Sequence, residues 1–212
     1  MSGIPIAQFL PLLLAAGAGA GAGWAATIFT RYQTAQIPPP LATIAVAVVL
    51  GVWAAAVMPL TFLLPATLML GWALLGLSLV DLLDFRLPDV VTLPLIAGGL
   101  LLSLWLPDHD PLGHLIGAAA GFAVLYAIAA FYRRARGREG LGLGDAKLAA
   151  AAGAWLGWQA LPSVVLVACA IAFVWIGMAV IFRGRAALAE RIAFGIPLSF
   201  AFWLVWLYGT LL

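Results

Sequence analysis

Long apolar stretches without a single charged residue dominate this chain, and residues 41–58 and 162–182 are clear examples. A helix needs about 20 mostly apolar residues to cross the hydrocarbon core of a membrane. Stretches of this kind recur along the whole sequence. Because 66% of the residues are hydrophobic and only 8% are charged, a water-soluble fold could not cover its surface with polar groups. The sequence therefore predicts an all-α integral membrane protein.

The apolar stretches divide into eight predicted transmembrane helices within a single polytopic domain of residues 1–212. These predicted spans are residues 5–29, 41–58, 60–82, 90–106, 112–131, 146–160, 162–182 and 195–211. Prolines separate the second span from the third and the sixth from the seventh, since residues 41–82 and 146–182 are each too long for one crossing. The first span lacks the basic segment of a secretory signal peptide, so we expect it to be retained.

Basic residues give an independent test of this topology, because Lys and Arg prefer cytoplasmic loops. With the amino terminus outside, the predicted cytoplasmic connections are residues 30–40, 83–89, 132–145 and 183–194. All ten basic residues lie in these connections or at their edges: Arg31, Arg86, Arg133, Arg134, Arg136, Arg138, Lys147, Arg183, Arg185 and Arg191. The formal charge of +2 is too small to favour nucleic-acid binding. The lipid bilayer is therefore the expected partner of the chain's surface.

Two aspartates stand at the predicted cytoplasmic ends of apolar segments. Asp81 opens the stretch DLLDFRLPD, and Asp145 follows the glycines of GLGLGD. An ionisable group at a membrane boundary is costly to keep unless it is paired or used. Two neighbouring carboxylates in a low-dielectric site share one proton, so one can act as an acid while the other activates water. Asp81 and Asp145 are therefore predicted to be the catalytic pair of an aspartic protease.

Each acidic residue near these motifs also has a structural interpretation. Asp145 can be the N-cap of the helix that follows it, and Asp81 and Asp84 can be polar residues that end a helix. Asp89 follows a proline and is expected to cap the next helix. Lys147 is expected to anchor its helix at the cytoplasmic membrane surface.

The glycines before Asp145 predict a bent and mobile loop. Gly140, Gly142 and Gly144 permit positive φ and close backbone approach, so an extended substrate backbone could lie beside them. The predicted loop, residues 133–144, also carries four arginines. We expect these arginines to anchor the loop at anionic lipid headgroups.

Metal and thiol chemistry have little support in the sequence. The single cysteine, Cys169, lies in an apolar run and cannot form an internal disulfide or a CxxC metal site. His109 and His114 fall at the predicted outside face, where we expect them to be interfacial polar residues. No metal site is therefore predicted.

The two aspartate motifs together resemble the type IV prepilin peptidase family, which belongs to the GxGD class of membrane aspartyl proteases. The family's first aspartate opens a D-x6-PD stretch, and its second follows GxG and precedes x-K-L. The matching positions are Asp81, Pro88 and Asp89 for the first motif and Asp145, Lys147 and Leu148 for the second. AFGIPLSFA, residues 193–201, is similar to the family's PFGP segment. The resemblance covers roughly residues 70–205.

This resemblance implies a GxGD aspartyl protease fold in which Asp81 and Asp145 form the catalytic pair and no cofactor is required for peptide cleavage. The implied substrates are prepilin or pseudopilin precursors, cut after a basic leader at the cytoplasmic face of the inner membrane. The residues expected to support the substrate or the loop are Gly142, Gly144, Lys147, Asp84, Asp89 and Glu139. Among them, the three acids are expected to contact the basic leader.

The chain departs from many bacterial members between its first two predicted helices. There it carries RYQTAQIPPP instead of a cytoplasmic insert with two zinc-binding CxxC pairs. The resemblance therefore implies a short form without that insert. It leaves open whether the chain also methylates the new amino terminus, which would require S-adenosylmethionine. Archaeal preflagellin peptidases are a close alternative, and a transporter or a structural membrane subunit is an alternative from another class.

Overall fold

The computed structural model describes residues 10–58, 63–106, 110–136, 142–186 and 192–210. These residues form eight α-helices: α1 (Leu10–Thr34), α2 (Pro40–Val57), α3 (Leu63–Asp84), α4 (Asp89–Trp105), α5 (Pro111–Arg136), α6 (Leu143–Leu156), α7 (Leu161–Arg183) and α8 (Gly195–Tyr208). No strand occurs in the part of the chain that the structure describes. The prediction of an all-α protein with about eight helices is confirmed.

Five of the described helical segments are long and apolar enough to cross a membrane. They are Leu10–Thr34, Pro40–Val57, Leu63–Asp84, Pro111–Ala135 and Trp158–Arg183, the last of which joins a short 3-10 turn to α7. Helices α4 and α8 are also apolar but shorter, at 17 and 14 residues. The chain is therefore a multi-pass membrane protein.

Three predicted helix bounds that matter for the site are wrong. Helix α3 continues to Asp84, α5 continues to Arg136, and α6 begins at Leu143. The predicted bounds end each helix where the apolar run ends, but a last or first turn can hold polar residues when these have partners or reach the membrane surface. Both candidate aspartates consequently lie inside helices, and Arg133 belongs to α5 rather than to a loop. Residues 137–141, which include Glu139 and Gly140, lie outside the described residues.

The chain divides into two compact units, and the boundary in the sequence lies between Leu79 and Val80. In the first unit, α1 and α2 pack through small residues, since a Cβ atom on Gly23 would lie 2.5 Å from the Cα of Ile44. Such small residues let helix backbones approach closely within a membrane. The indole of Trp72, in α3, donates a hydrogen bond of 3.2 Å to the carbonyl of Ala47.

Helix α6 is the centre of the second unit and contacts α4, α5, α7 and α8. Ten of its 14 residues are buried, and six of those ten are alanines. Small side chains all around the helix allow its neighbours to pack on every side. The closest approach is to α5, because a Cβ atom on Gly153 would lie only 2.1 Å from the carbonyl oxygen of Gly117.

Two polar side chains fix the end of α6 that lies away from Asp145. Trp155 donates a hydrogen bond of 2.7 Å to the carbonyl of Leu95 in α4. The Nδ1 atom of His114, in α5, lies 2.9 Å from the carbonyl oxygen of Ala154. The interpretation of His114 as an interfacial residue is wrong, because its side chain is only 7% exposed and binds a neighbouring helix. His109 lies outside the described residues.

The backbone contact between α5 and α6 predicts a large effect of one added methyl group. Gly153→Ala would place the methyl against the Gly117 backbone, which cannot rotate away, so the helices must separate. We expect a loss of about 1–3 kcal/mol in the free energy of unfolding, the usual cost of overpacking. Unfolding of the purified protein in mixed micelles measures this loss.

The matched control is Gly177→Ala in α7, where an added Cβ meets no atom within 4 Å. This variant should unfold like the wild type. Equal stability of the two alanine variants would contradict the packing described for α5 and α6.

Candidate active site

Asp81 lies in the last turn of α3, and its side chain is only 5% exposed. The helix ends just after it, because Phe85 adopts a left-handed conformation with φ of 52°. The N–H of Phe85 donates a hydrogen bond of 3.0 Å to the Asp81 carbonyl, as in other left-handed helix ends. Pro88 then forms the N-cap of α4. The turn between α3 and α4 is therefore short, and it begins one helical turn after Asp81.

Asp145 lies in the first turn of α6, and its side chain is only 6% exposed. Its Oδ2 atom accepts a hydrogen bond of 3.0 Å from the N–H of Gly142. Gly142 is the N-cap, with extended backbone angles, so the interpretation of Asp145 as the N-cap is wrong. Instead, the carboxylate reaches back to the residue before the helix, which satisfies a backbone donor there. This bond fixes the direction of the Asp145 side chain.

In this motif the absence of a side chain matters, rather than an unusual backbone conformation. Gly142 has a φ of −76° and Gly144 is helical, so the prediction of positive φ is wrong at both positions. A Cβ atom on Gly144 would lie 2.8 Å from the Cβ of Leu87. Gly144 therefore allows the turn between α3 and α4 to pack directly against α6. Gly140 lies outside the described residues.

Asp81 and Asp145 line the same cavity, which has a volume of about 330 Å³. The end of α3 and the following turn form one side, with Asp81 and residues 85–87. The start of α6 forms the other side, with residues 142–145 and Lys147. The structure thus brings together the two residues that the sequence predicts as a catalytic pair.

The first residue of α8, Gly195, lies against the same carboxylate. A Cβ atom on Gly195 would lie 2.7 Å from Oδ2 of Asp81 and 3.2 Å from Cδ1 of Leu87. Leu87 therefore packs between the first turns of α6 and α8. No role for Gly195 or Leu87 was predicted from the sequence. Gly195 lies in the AFGIPLSFA motif, which was a signal for it, whereas no feature of the sequence pointed to Leu87.

Two ion pairs lie beside the cavity. Lys147 donates a hydrogen bond of 2.5 Å to Oδ1 of Asp89, which joins the first turns of α6 and α4. The prediction that Asp89 caps α4 is wrong, since Pro88 is the N-cap and no side-chain hydrogen bond caps the start of the helix. The interpretation of Lys147 as a surface anchor missed this contact with Asp89. Asp84 is the last residue of α3 and accepts a hydrogen bond of 2.7 Å from Nε of Arg86.

This arrangement suits acid and base chemistry on a bound water. Two carboxyl groups that are nearly shielded from solvent can divide the tasks of taking and giving a proton. The residues that the structure describes hold no group of three or more His, Cys, Asp or Glu side chains able to bind a metal ion.

The ion pair between Lys147 and Asp89 should contribute little to stability. Their side chains are 21% and 55% exposed, so we expect a coupling of about 0.2–1 kcal/mol, as measured for exposed pairs. A double-mutant cycle with Asp89→Asn and Lys147→Gln measures it, and high salt should reduce it. Absence of any coupling at low salt would contradict this expectation.

Comparisons with known proteins cover the region that carries both aspartates. The profile of the type IV leader peptidase family matches residues 68–177. The prepilin leader peptidase/N-methyltransferase of Aeromonas salmonicida is 39% identical over 189 residues, which are 88% of this chain and 61% of the relative. The protein of the same name in Burkholderia pseudomallei is 46% identical over 123 residues, or 58% of this chain and 40% of the relative.

The prepilin leader peptidase/N-methyltransferase of Pseudomonas aeruginosa is 36% identical over 147 residues, or 68% of this chain and 49% of the relative. This chain therefore spans at most about three fifths of the length of these relatives. No solved structure matches it. Because the family profile covers more than half of the chain and includes Asp81 and Asp145, the chain belongs to the type IV leader peptidase family.

Proposed function

We propose that this protein is an aspartic endopeptidase that cleaves the leader peptide from prepilin or pseudopilin precursors. One observation carries the proposal: Asp81 and Asp145 are both nearly buried and line one cavity. The last turn of α3 carries Asp81 and the first turn of α6 carries Asp145. Each of these helix ends has its own hydrogen bond, from Phe85 and from Gly142 respectively. Neither a transporter nor a structural subunit is favoured by the family match.

The proposed reaction uses the two carboxyl groups and one water molecule. The ionised member of the pair takes a proton from the water as it attacks the scissile carbonyl carbon. The protonated member donates to the carbonyl oxygen. Because an interacting pair titrates as a unit, these roles belong to the pair rather than to either residue. Low solvent exposure strengthens the electrostatic effect of both groups on the developing charge.

The position of the cavity fits a substrate cut where a polar leader meets an apolar helix. Helices α6 and α8 have 14 residues each and are about 21 Å long, which is less than the about 30 Å of the hydrocarbon core. The first turn of α6 carries Asp145, and the first residue of α8 lies against the Asp81 carboxyl group. An extended peptide entering beside these short helices would reach the cavity without unfolding a long membrane span.

The charge distribution favours a cytoplasmic site at the inner membrane. Basic residues cluster at the helix ends on the same side as the cavity: Arg86, Arg133, Arg134, Lys147, Arg183 and Arg185. Lys and Arg near membrane helices favour the cytoplasmic side. Asp84 is a candidate contact for a basic leader, although it also accepts a hydrogen bond from Arg86. Asp89 is engaged by Lys147, so it is a weaker candidate.

Peptide cleavage by this mechanism requires no cofactor, because the carboxyl pair supplies both the acid and the base. S-adenosylmethionine would be needed only for methylation of the new amino terminus. The relatives' names include N-methyltransferase, but this chain spans only part of their length. The proposal is therefore confined to the peptidase activity.

The catalytic pair can be tested by removing one ionisable group at a time. Asp81→Asn and Asp145→Asn should each abolish leader cleavage, because asparagine keeps the shape but cannot exchange the proton. Cleavage of a purified prepilin in proteoliposomes measures this. Asp110→Asn is the control, since Asp110 is exposed and directly precedes α5, at the end of that helix away from Arg134; it should retain activity. Near wild-type cleavage by either of the first two variants would remove that residue from the mechanism.

The proposed orientation can be tested with single cysteines in a Cys169→Ala background. An impermeant thiol reagent applied to intact cells should label Asp110→Cys but not Arg134→Cys, because these exposed positions lie at opposite ends of α5. Permeabilised cells, in which both cysteines should react, provide the control. The reverse labelling pattern in intact cells would place the cavity on the outside.

A further inference from the structure

Gly195 is buried at the start of α8, and the carboxyl group of Asp81 occupies the space beside it. A Cβ atom at this position would lie 2.7 Å from Oδ2 of Asp81 and 3.0 Å from its Cγ. Real Cβ atoms do not approach other heavy atoms this closely. The Asp81 carboxyl group can therefore hold its present position only because residue 195 has no side chain.

Two of the glycines at this site, Gly144 and Gly195, would respond differently to an added methyl group. At Gly144 the obstacle is the Cβ of Leu87 at 2.8 Å, which is tied to the backbone and cannot move without the turn. At Gly195 the obstacle is the far end of the Asp81 side chain, which can rotate. A methyl group at position 195 would thus displace the reactive carboxyl group rather than the fold.

Helix α8 cannot easily move away to make room. Its residues Leu198, Ala201 and Phe202 are completely buried. Trp206 packs edge-on against Trp155 of α6, with ring centroids 5.2 Å apart. The helix that limits Asp81 is therefore attached to the helix that carries Asp145.

We infer that Gly195 is a positioning residue that leaves room for the Asp81 carboxyl group in its present position, beside the cavity that Asp81 and Asp145 both line. This inference rests on the proposed peptidase function. It adds a third element, the first turn of α8, to the two helix ends that carry the catalytic pair.

Gly195→Ala should lower turnover while leaving substrate binding and folding largely intact. A displacement of about 1 Å in a catalytic group can cost about 100-fold in rate, so we expect kcat to fall at least about tenfold. KM should stay within about twofold of the wild-type value, because the rest of the cavity is unchanged. Kinetics with a purified prepilin in proteoliposomes measure both constants.

Two other glycine variants separate positioning from general damage. Gly177→Ala meets no atom within 4 Å and should behave as the wild type. Gly121→Ala would meet the carbonyl of Ala149 at 2.4 Å, so it should reduce the folded fraction, while kcat per folded molecule stays normal. The inference is overturned if Gly195→Ala keeps normal kcat, or loses activity only in proportion to its folded fraction.

A double-mutant cycle of unfolding free energies tests the same contact without an assay of cleavage. It also applies if Gly195→Ala folds poorly. The Asp81 carboxyl group is the nearest obstacle to the added methyl group, and the next, Cδ1 of Leu87 at 3.2 Å, is the far end of a flexible side chain. The cost in stability should therefore largely disappear in an Asp81→Ala background. An equal cost in both backgrounds would overturn the inference.

The outcomes also separate this inference from the proposed function. A wild-type protein that cleaves, an inactive Asp81→Asn variant and a fully active Gly195→Ala variant would refute only the role of Gly195. A wild-type protein that does not cleave any prepilin would refute both.

Discussion

The packing of Leu87 between two helix starts is the contact on which the site depends. Gly144 and Gly195 have no side chains, so the turn after α3 fits against the first turns of α6 and α8. Asp81 lies in the last turn of the helix before this connection, and Asp145 immediately follows Gly144. Bringing the turn and the helix starts together therefore brings the carboxyl groups to one cavity.

Helix α6 gives this contact a firm support. Its alanine-rich surface is buried on all sides, and it meets α5 backbone to backbone at Gly153. Trp155 and His114 add hydrogen bonds at the far end of the helix. A helix held in this way can present Asp145 in a fixed direction, and the bond from Gly142 completes that orientation. Preorganisation of this kind is what a catalytic carboxyl pair requires.

Much of the fold could be predicted from the sequence, because membrane spans depend on long apolar runs that are local in the chain. Charged groups next to such runs are rare and costly, so Asp81 and Asp145 could be singled out as candidates, and the structure places both in the lining of one cavity. The helix bounds near the site were harder to predict. A glycine-rich segment suggests a loop by local propensity, yet tertiary packing makes Gly144 helical.

Contacts between segments that are far apart in the sequence could not be predicted from the spacing of residues along the chain alone. Lys147 and Asp89 are 58 residues apart, and each had a reasonable local interpretation as an anchor or a cap. Gly195 belonged to a motif, but only the structure shows that its missing side chain faces Asp81. Tertiary packing, rather than residue type, assigns these roles.

The central claim is that the turn after α3 packs on the first turn of α6, and a disulfide tests it directly. Cysteines at Leu87 and Gly144, in a Cys169→Ala background, would have Cβ atoms about as close as a disulfide allows, after a shift of about 1 Å. Mild oxidation in membranes should yield the linked peptides by mass spectrometry, whereas cysteines at Leu87 and Gly177 should stay reduced. Alkylation of both thiols in the first pair, without any disulfide, would contradict the account.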